Sequence, residues 1–70
     1  MNNFIKRMRE EKRTLDSKIQ RLSLFLSAQE KDGYPDIQPD ELFLMGQQLA
    51  CMVEYSRILG KRIDMHTIDA

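Results

Sequence analysis

Apolar residues in the first half of the chain recur at alternating intervals of four and three, and the second half repeats the pattern. The first series comprises Met1, Ile5, Met8, Leu15, Ile19, Leu22 and Leu26. The second series comprises Leu42, Met45, Leu49, Met52, Leu59 and Ile63. Each series lacks one member, at Lys12 and at Ser56. Because a mean spacing of 3.5 residues places such side chains along one side of a helix, the pattern predicts two helices joined by a coiled-coil seam.

The segment between the two series has the composition of a turn. Gly33 and Pro35 lie in it, whereas no Gly or Pro interrupts the preceding residues. Pro39 suits the first turn of a helix, and Asp40 and Glu41 suit its positive end. The fold class is therefore all-α: an antiparallel two-helix hairpin that assembles into a homo-oligomeric helical bundle. The predicted single domain spans 1–70, with helix 1 over about 3–29, a turn over about 30–38, helix 2 over about 39–64 and a short tail over 65–70.

The two series also predict which residues face each other. If opposing residue numbers have a nearly constant sum, Met8 lies opposite Leu59, and the two missing members, Lys12 and Ser56, form one polar layer. A lysine at a seam position is known to fix the register of a coiled coil at a cost in stability. The layer is either such a device or part of a ligand site, and the sequence leaves both interpretations open.

The composition excludes several classes of protein. Seventy residues that are 41% apolar and 31% charged are typical of one small folded domain. Eleven basic and eleven acidic residues balance, which argues against an overall polycation that binds nucleic-acid polymers. The longest apolar run has five residues, 49–53, which is too short to span a membrane, and the basic start lacks the apolar segment of a secretory signal. We expect an intracellular protein.

The sequence offers no recognisable catalytic or metal-binding motif. Cys51 is the only thiol and His66 the only imidazole, so neither an intrachain disulfide nor a Cys/His zinc site is expected. The position of Cys51 among apolar residues predicts a buried, unreactive thiol. No glycine-rich phosphate loop and no nucleophile–base spacing occurs. We therefore expect no enzymatic activity, no cofactor and no metal.

Self-association is expected on two grounds. A chain of this length rarely buries enough surface to be stable alone without a disulfide or metal. Helix 2 also has more apolar surface than one facing helix can cover. Beyond the seam it carries Phe43, Leu44, Ala50, Cys51, Val53, Tyr55 and Ile58. We predict a homo-oligomer, at least a dimer and up to a hexamer, with clefts between subunits.

The charges are unevenly distributed and indicate an anion site. Residues 1–28 hold seven basic and three acidic side chains, net +4, whereas residues 29–41 hold one basic and five acidic, net −4. In a hairpin, the start of helix 1 lies beside the basic end of helix 2. Cations, a hydroxyl and an aromatic ring near the polar layer suit a ligand with phosphates and a base, although a solvated helix surface would look similar. The candidate ligand-binding residues are Arg9, Lys12, Arg13, Tyr55, Ser56, Arg57 and Arg62.

Residues 4–63 resemble a family of small phage-encoded hairpin proteins that was first named from a crAss-like phage. The resemblance rests on Arg7-Met8, Glu11, Leu15, Lys18-Ile19, Leu22 and Phe25, followed by Gln48, Met52, Tyr55, Leu59 and Arg62-Ile63. In architecture the chain is also similar to the helical-hairpin sponges with which phages counter CBASS and Thoeris immunity. Those proteins form homo-oligomers and hold cyclic oligonucleotides at subunit interfaces without cleaving them.

The resemblance implies a function that the residues alone do not specify. The leading hypothesis is an anti-defence sponge that sequesters a cyclic di- or trinucleotide in the cytoplasm of an infected bacterial cell. The main alternative is an interaction protein that binds and inhibits a host or defence protein through the apolar face of helix 2. Binding of a nucleic-acid polymer through helix 1 is less favoured, because Glu10, Glu11 and Asp16 interrupt its basic surface.

Overall fold

The computed structural model describes residues 3–32 and 37–67, which form two helices packed against each other as a hairpin. Helix α1 spans Asn3–Asp32 and helix α2 spans Pro39–Thr67. The hairpin is a rod with principal extents of 51 × 16 × 15 Å. The all-α, two-helix prediction is therefore confirmed, while the seam member Met1, turn residues 33–36 and tail residues 68–70 lie outside the described residues.

Both helices continue about one turn beyond the ends expected from the sequence. Residues 30–32, expected in the turn, are the last residues of α1, and residues 65–67, expected in the tail, are the last of α2. Helix α1 runs on because no Gly or Pro occurs before Gly33. Helix α2 starts at Pro39 as expected, and the Leu42 backbone N–H donates a hydrogen bond of 3.1 Å to the Gln38 carbonyl oxygen.

The predicted seam is the core of the hairpin. Met8, Leu15 and Leu59 are buried, and the hydroxyl-bearing Ser56 is buried with them. The other described seam positions are half-buried: Ile5, Lys12, Ile19, Leu22, Leu26, Leu42, Met45, Leu49, Met52 and Ile63. The spacing of apolar residues therefore identified the packed side of both helices. In neither helix does the described sequence reach the apolar length needed to cross a membrane.

The predicted polar layer of Lys12 and Ser56 includes a third residue, Asp16. Ser56 contacts Asp16 rather than Lys12 directly, and the Lys12 stem lies beside Gly60. Both contacts join residues four positions beyond the predicted partners. Because a helical side chain leans toward the N-terminus of its own helix, side chains of an antiparallel pair reach partners beyond the residue that is level with their own Cα atom.

Candidate anion-binding site

Three polar side chains interrupt the apolar seam and are joined to each other by hydrogen bonds. The Ser56 hydroxyl donates a hydrogen bond of 2.5 Å to Oδ1 of Asp16, and Lys12 Nζ donates one of 2.9 Å to Oδ2. Asp16 therefore joins α1 to α2 across the seam. Lys12 and Asp16 are one turn apart on α1, which is the separation at which oppositely charged side chains meet on a helix.

The environment of Asp16 favours its ionised form. The hydrogen bond from Ser56 contributes most to lowering the pKa of this carboxyl group, followed by the hydrogen bond and the positive charge of Lys12. Partial burial acts in the opposite direction and is outweighed. At neutral pH the cluster therefore holds a carboxylate that neutralises the charge of Lys12.

An open groove of about 380 Å³ lies beside this cluster, between α1 and the end of α2. Its size falls within the range of small-molecule sites. Three of the seven predicted ligand residues line it. The lining consists of Arg9, Lys12, Arg13, Asp16, Ser17, Gln20 and Ile63. We call this concavity the Arg9/Arg13 groove.

The cations of the Arg9/Arg13 groove differ in how far their charges are neutralised. Lys12 is paired with Asp16, whereas neither Arg9 nor Arg13 forms an ion pair within residues 3–32 and 37–67. Both arginines are exposed. Two guanidinium groups one turn apart on α1 can therefore direct charge-assisted hydrogen bonds toward an anion in the groove.

Tyr55 lies on the opposite flank of α1 from Arg9 and Arg13. It lines a second groove, of about 480 Å³, together with Arg7, Lys18 and the acidic residues Glu10 and Glu11. The tyrosine is 44% exposed. Because the two grooves have no lining residue in common, a single hairpin does not bring Tyr55 together with the Arg9/Arg13 groove.

The remaining two predicted cations have partners of their own. Arg57 forms an ion pair with Glu54 one turn earlier on α2, which raises the pKa of Arg57 and lowers that of Glu54. Arg62 lies over the ring of Phe4, with its Cζ atom 6.0 Å from the ring centroid. The same ring meets His66 edge to face at 5.3 Å. Neither cation lines the Arg9/Arg13 groove.

One residue of the cluster, Asp16, was not identified as a site residue from the sequence, and neither was Gly60 beside it. Asp16 was treated only as a charge interrupting the basic surface of helix 1, although its position four residues after Lys12 was a signal for the ion pair. Gly60 lowers the helix propensity of α2. A Cβ atom there would lie 3.2 Å from Cε of Lys12, so the missing side chain leaves room for the lysine stem.

The prediction that the Cys51 thiol is buried is wrong, because the side chain is exposed. It lies on the outer side of α2, because the apolar residues around it extend beyond the stripe that α1 covers. Within the described residues, no group of His, Cys, Asp and Glu side chains has the arrangement of a metal site.

A protein-family model matches residues 2–65 of the chain. The matching family is described as Sequestin. The chain belongs to the Sequestin family. The family name points to sequestration and identifies neither a ligand nor a target. Searches of curated proteins and of solved structures gave no match for this Sequestin chain.

Proposed function

We propose that this chain is a phage anti-defence sponge that sequesters a cyclic di- or trinucleotide immune signal. The observation that carries the proposal is a pair of guanidinium groups, Arg9 and Arg13, which form no ion pair with any described residue and border one open groove beside the Lys12–Asp16–Ser56 cluster. Membership of a family named for sequestration supports it. The setting that we propose is the cytoplasm of an infected bacterial cell, as the hairpin's resemblance to phage proteins implies.

The groove supplies the interactions that a phosphodiester requires. Arg9 and Arg13 would bind phosphate oxygens through charge-assisted hydrogen bonds, which are about twice as strong as neutral ones. Lys12 is held at the groove wall by Asp16, and Ser56 fixes Asp16 from the other helix. In this proposal Ser56 acts as a positioning residue, because its side chain is buried in the seam.

Stacking on the nucleobase is the part of the proposal that needs a second hairpin. Tyr55 lies on the other flank of the molecule, in a groove with Arg7 and Lys18. In an assembly, the Tyr55 groove of one copy would complete the Arg9/Arg13 groove of another, so that a flat base stacks while its phosphates are held. The proposed sponge is thus a homo-oligomer with its ligand between subunits. It requires binding only and no catalytic group.

Calorimetric titration with a panel of cyclic di- and trinucleotides tests the proposal. We expect Arg9→Glu and Arg13→Glu each to weaken binding by about a hundredfold, because each loses a charge-assisted bond and adds repulsion, together on the order of 2–3 kcal/mol. Arg57→Glu is the matched control, since it reverses an arginine that lies outside the groove and is paired with Glu54. Raising the salt concentration should weaken binding to the unmodified protein.

Two results would contradict the sponge. One is the absence of binding to every cyclic nucleotide by the folded, unmodified protein. The other is an equal loss of binding for Arg57→Glu and Arg13→Glu, which would mean that the overall charge matters rather than the groove.

A second candidate function is inhibition of a host or defence protein through the outer face of α2. The observation in its favour is the exposure of large apolar side chains on that helix, including Phe43 at 66% and Leu44 at 60%. An apolar docking surface of this kind binds a partner with little dependence on salt. Substitution of Phe43 or Leu44 by Ser would then abolish inhibition, whereas Arg13→Glu would leave it unchanged.

A further inference from the structure

Helix α2 carries a second apolar stripe that α1 does not cover. Its members recur at every seventh position, at Leu44, Cys51, Ile58 and Met65. Leu44 is 60%, Ile58 43% and Met65 72% exposed, and Cys51 is also exposed. We call these four residues the outer stripe. It runs for about 32 Å along the helix, on the same side as Tyr55.

A repeat of seven residues is the spacing that keeps a stripe facing a partner helix in a coiled coil. Four successive apolar members are one more than the inner seam of α2 has at either of its own heptad positions. The other exposed flank of α2 has no such seven-residue repeat of apolar side chains, because Arg57 and its ion pair with Glu54 interrupt the apolar residues there. The outer stripe is therefore the better candidate for a second helix-packing surface.

The hairpin exposes more surface than a compact protein of its mass. A folded monomer of 8.3 kDa exposes about 4,600 Å², whereas this chain exposes 5714 Å². Its radius of gyration is 15.8 Å, against about 11 Å for a compact domain of this length. The excess of about 1,100 Å² is somewhat more than the roughly 800 Å² that each partner buries in a standard interface.

The charges of α2 favour a second copy of the same helix in the antiparallel direction. Asp40 and Glu41 lie in its first turn, whereas Lys61 and Arg62 lie near its end. A two-fold axis near Cys51 would make facing residue numbers sum to about 102, which brings the acidic start of each helix level with the basic end of the other. A parallel arrangement would align like charges and like helix dipoles.

We propose that two hairpins pair through their outer stripes, with the two α2 helices antiparallel, to form a four-helix dimer. This pairing leaves the Arg9/Arg13 groove of each copy outside the dimer interface, so it is separate from the contact proposed for the sponge and does not depend on any ligand. A dimer that binds no cyclic nucleotide would retain this inference and refute the sponge, so the two proposals fail separately.

Sedimentation of stripe and flank variants tests the surface. The unmodified protein should sediment as a dimer at micromolar concentration. Ile58→Glu should raise the dimer dissociation constant at least about thirtyfold, as for a residue at the centre of an interface. Val53→Glu is the matched control, because Val53 is 50% exposed on the other flank of α2. It should leave the dimer intact. A monomeric unmodified protein, or dissociation caused by Val53→Glu and not by Ile58→Glu, would overturn the proposal.

A distance measurement on the intact dimer tests the orientation even if Ile58→Glu fails to fold. A spin label is attached at Gln38→Cys in a Cys51→Ala background, which keeps the acidic start of α2 and the apolar outer stripe. With a two-fold axis near Cys51, the two labels should lie about 40 Å apart, since each residue advances a helix by 1.5 Å. Labels within about 20 Å of each other would indicate parallel helices and overturn the antiparallel pairing.

Discussion

The two sides of α2 have similar apolar content and opposite environments. The side that faces α1 holds Leu59, which is 1% exposed, whereas the outer side holds Val53 and Ile58 at 50% and 43%. The difference comes from the number of partner helices, because one helix can cover only one stripe of another. Apolar composition therefore indicates how much surface a helix must bury, and the neighbours decide which part is buried within one chain.

The largest expected effect contrasts the two sides directly. Leu59→Ala should lower the free energy of unfolding by about 3 kcal/mol, because it leaves a cavity in a narrow core. Val53→Ala should lower it by less than about 1 kcal/mol, since half of that side chain is already in solvent. Chemical denaturation followed by circular dichroism measures both. Equal losses would mean that the outer side is as well packed as the seam.

The Lys12–Asp16–Ser56 cluster interrupts the apolar seam, and we expect this interruption to lower the free energy of unfolding. Lys12→Leu should raise the free energy of unfolding by about 1 kcal/mol or more, because the seam gains an apolar contact while Asp16 keeps its hydrogen bond with Ser56. Thermal unfolding measures the change, and calorimetry with cyclic nucleotides measures the function. A more stable variant that no longer binds would establish the cluster as functional. Unchanged binding would leave Lys12 as a register device only.

Substitution of the two glycines of α2 is expected to change the stability of the hairpin by a smaller amount. Nothing lies within 4 Å of the Cβ position at Gly46, so Gly46→Ala should stabilise the helix by about 0.5–1 kcal/mol. Gly60→Ala should gain less, because its Cβ would meet Cε of Lys12 at 3.2 Å and displace the lysine. The melting temperatures of the two variants, measured side by side, test this expectation. A larger gain at Gly60 would contradict the packing of Lys12 against α2.

The smallest effect is the pH dependence of the Asp16 cluster. The pKa of Asp16 is lowered in the folded state, so its contribution to stability is present above the unfolded pKa of about 3.9 and is lost as the pH falls through the lower, folded value. We expect a few tenths of a kcal/mol, because the side chain is 46% exposed. The difference in melting temperature between the unmodified protein and Asp16→Asn should shrink between pH 7 and pH 2. A constant difference would mean that the carboxylate charge does not matter.

The candidate site was only partly accessible to sequence reasoning. The clustering of Arg9, Lys12 and Arg13 was predictable, because residues three and four apart share a face of one helix. The separation of Tyr55 from them was not, since it depends on which flank of α1 each residue of α2 approaches. Whether Arg57 is available to a ligand depended in the same way on a side-chain contact, its ion pair with Glu54.

The sequence by itself determined the two helices, the start of α2 at Pro39 and the side of each helix that packs, because these follow from local propensity and from a 3.5-residue repeat. The tertiary structure decided the side-chain contacts between the two helices. Which side chain of α1 reaches Ser56 depends on the length of that side chain and on how it leans across the seam, and the spacing of apolar residues specifies neither. In the structure Asp16 rather than Lys12 contacts Ser56, and Lys12 borders the groove with Arg9 and Arg13.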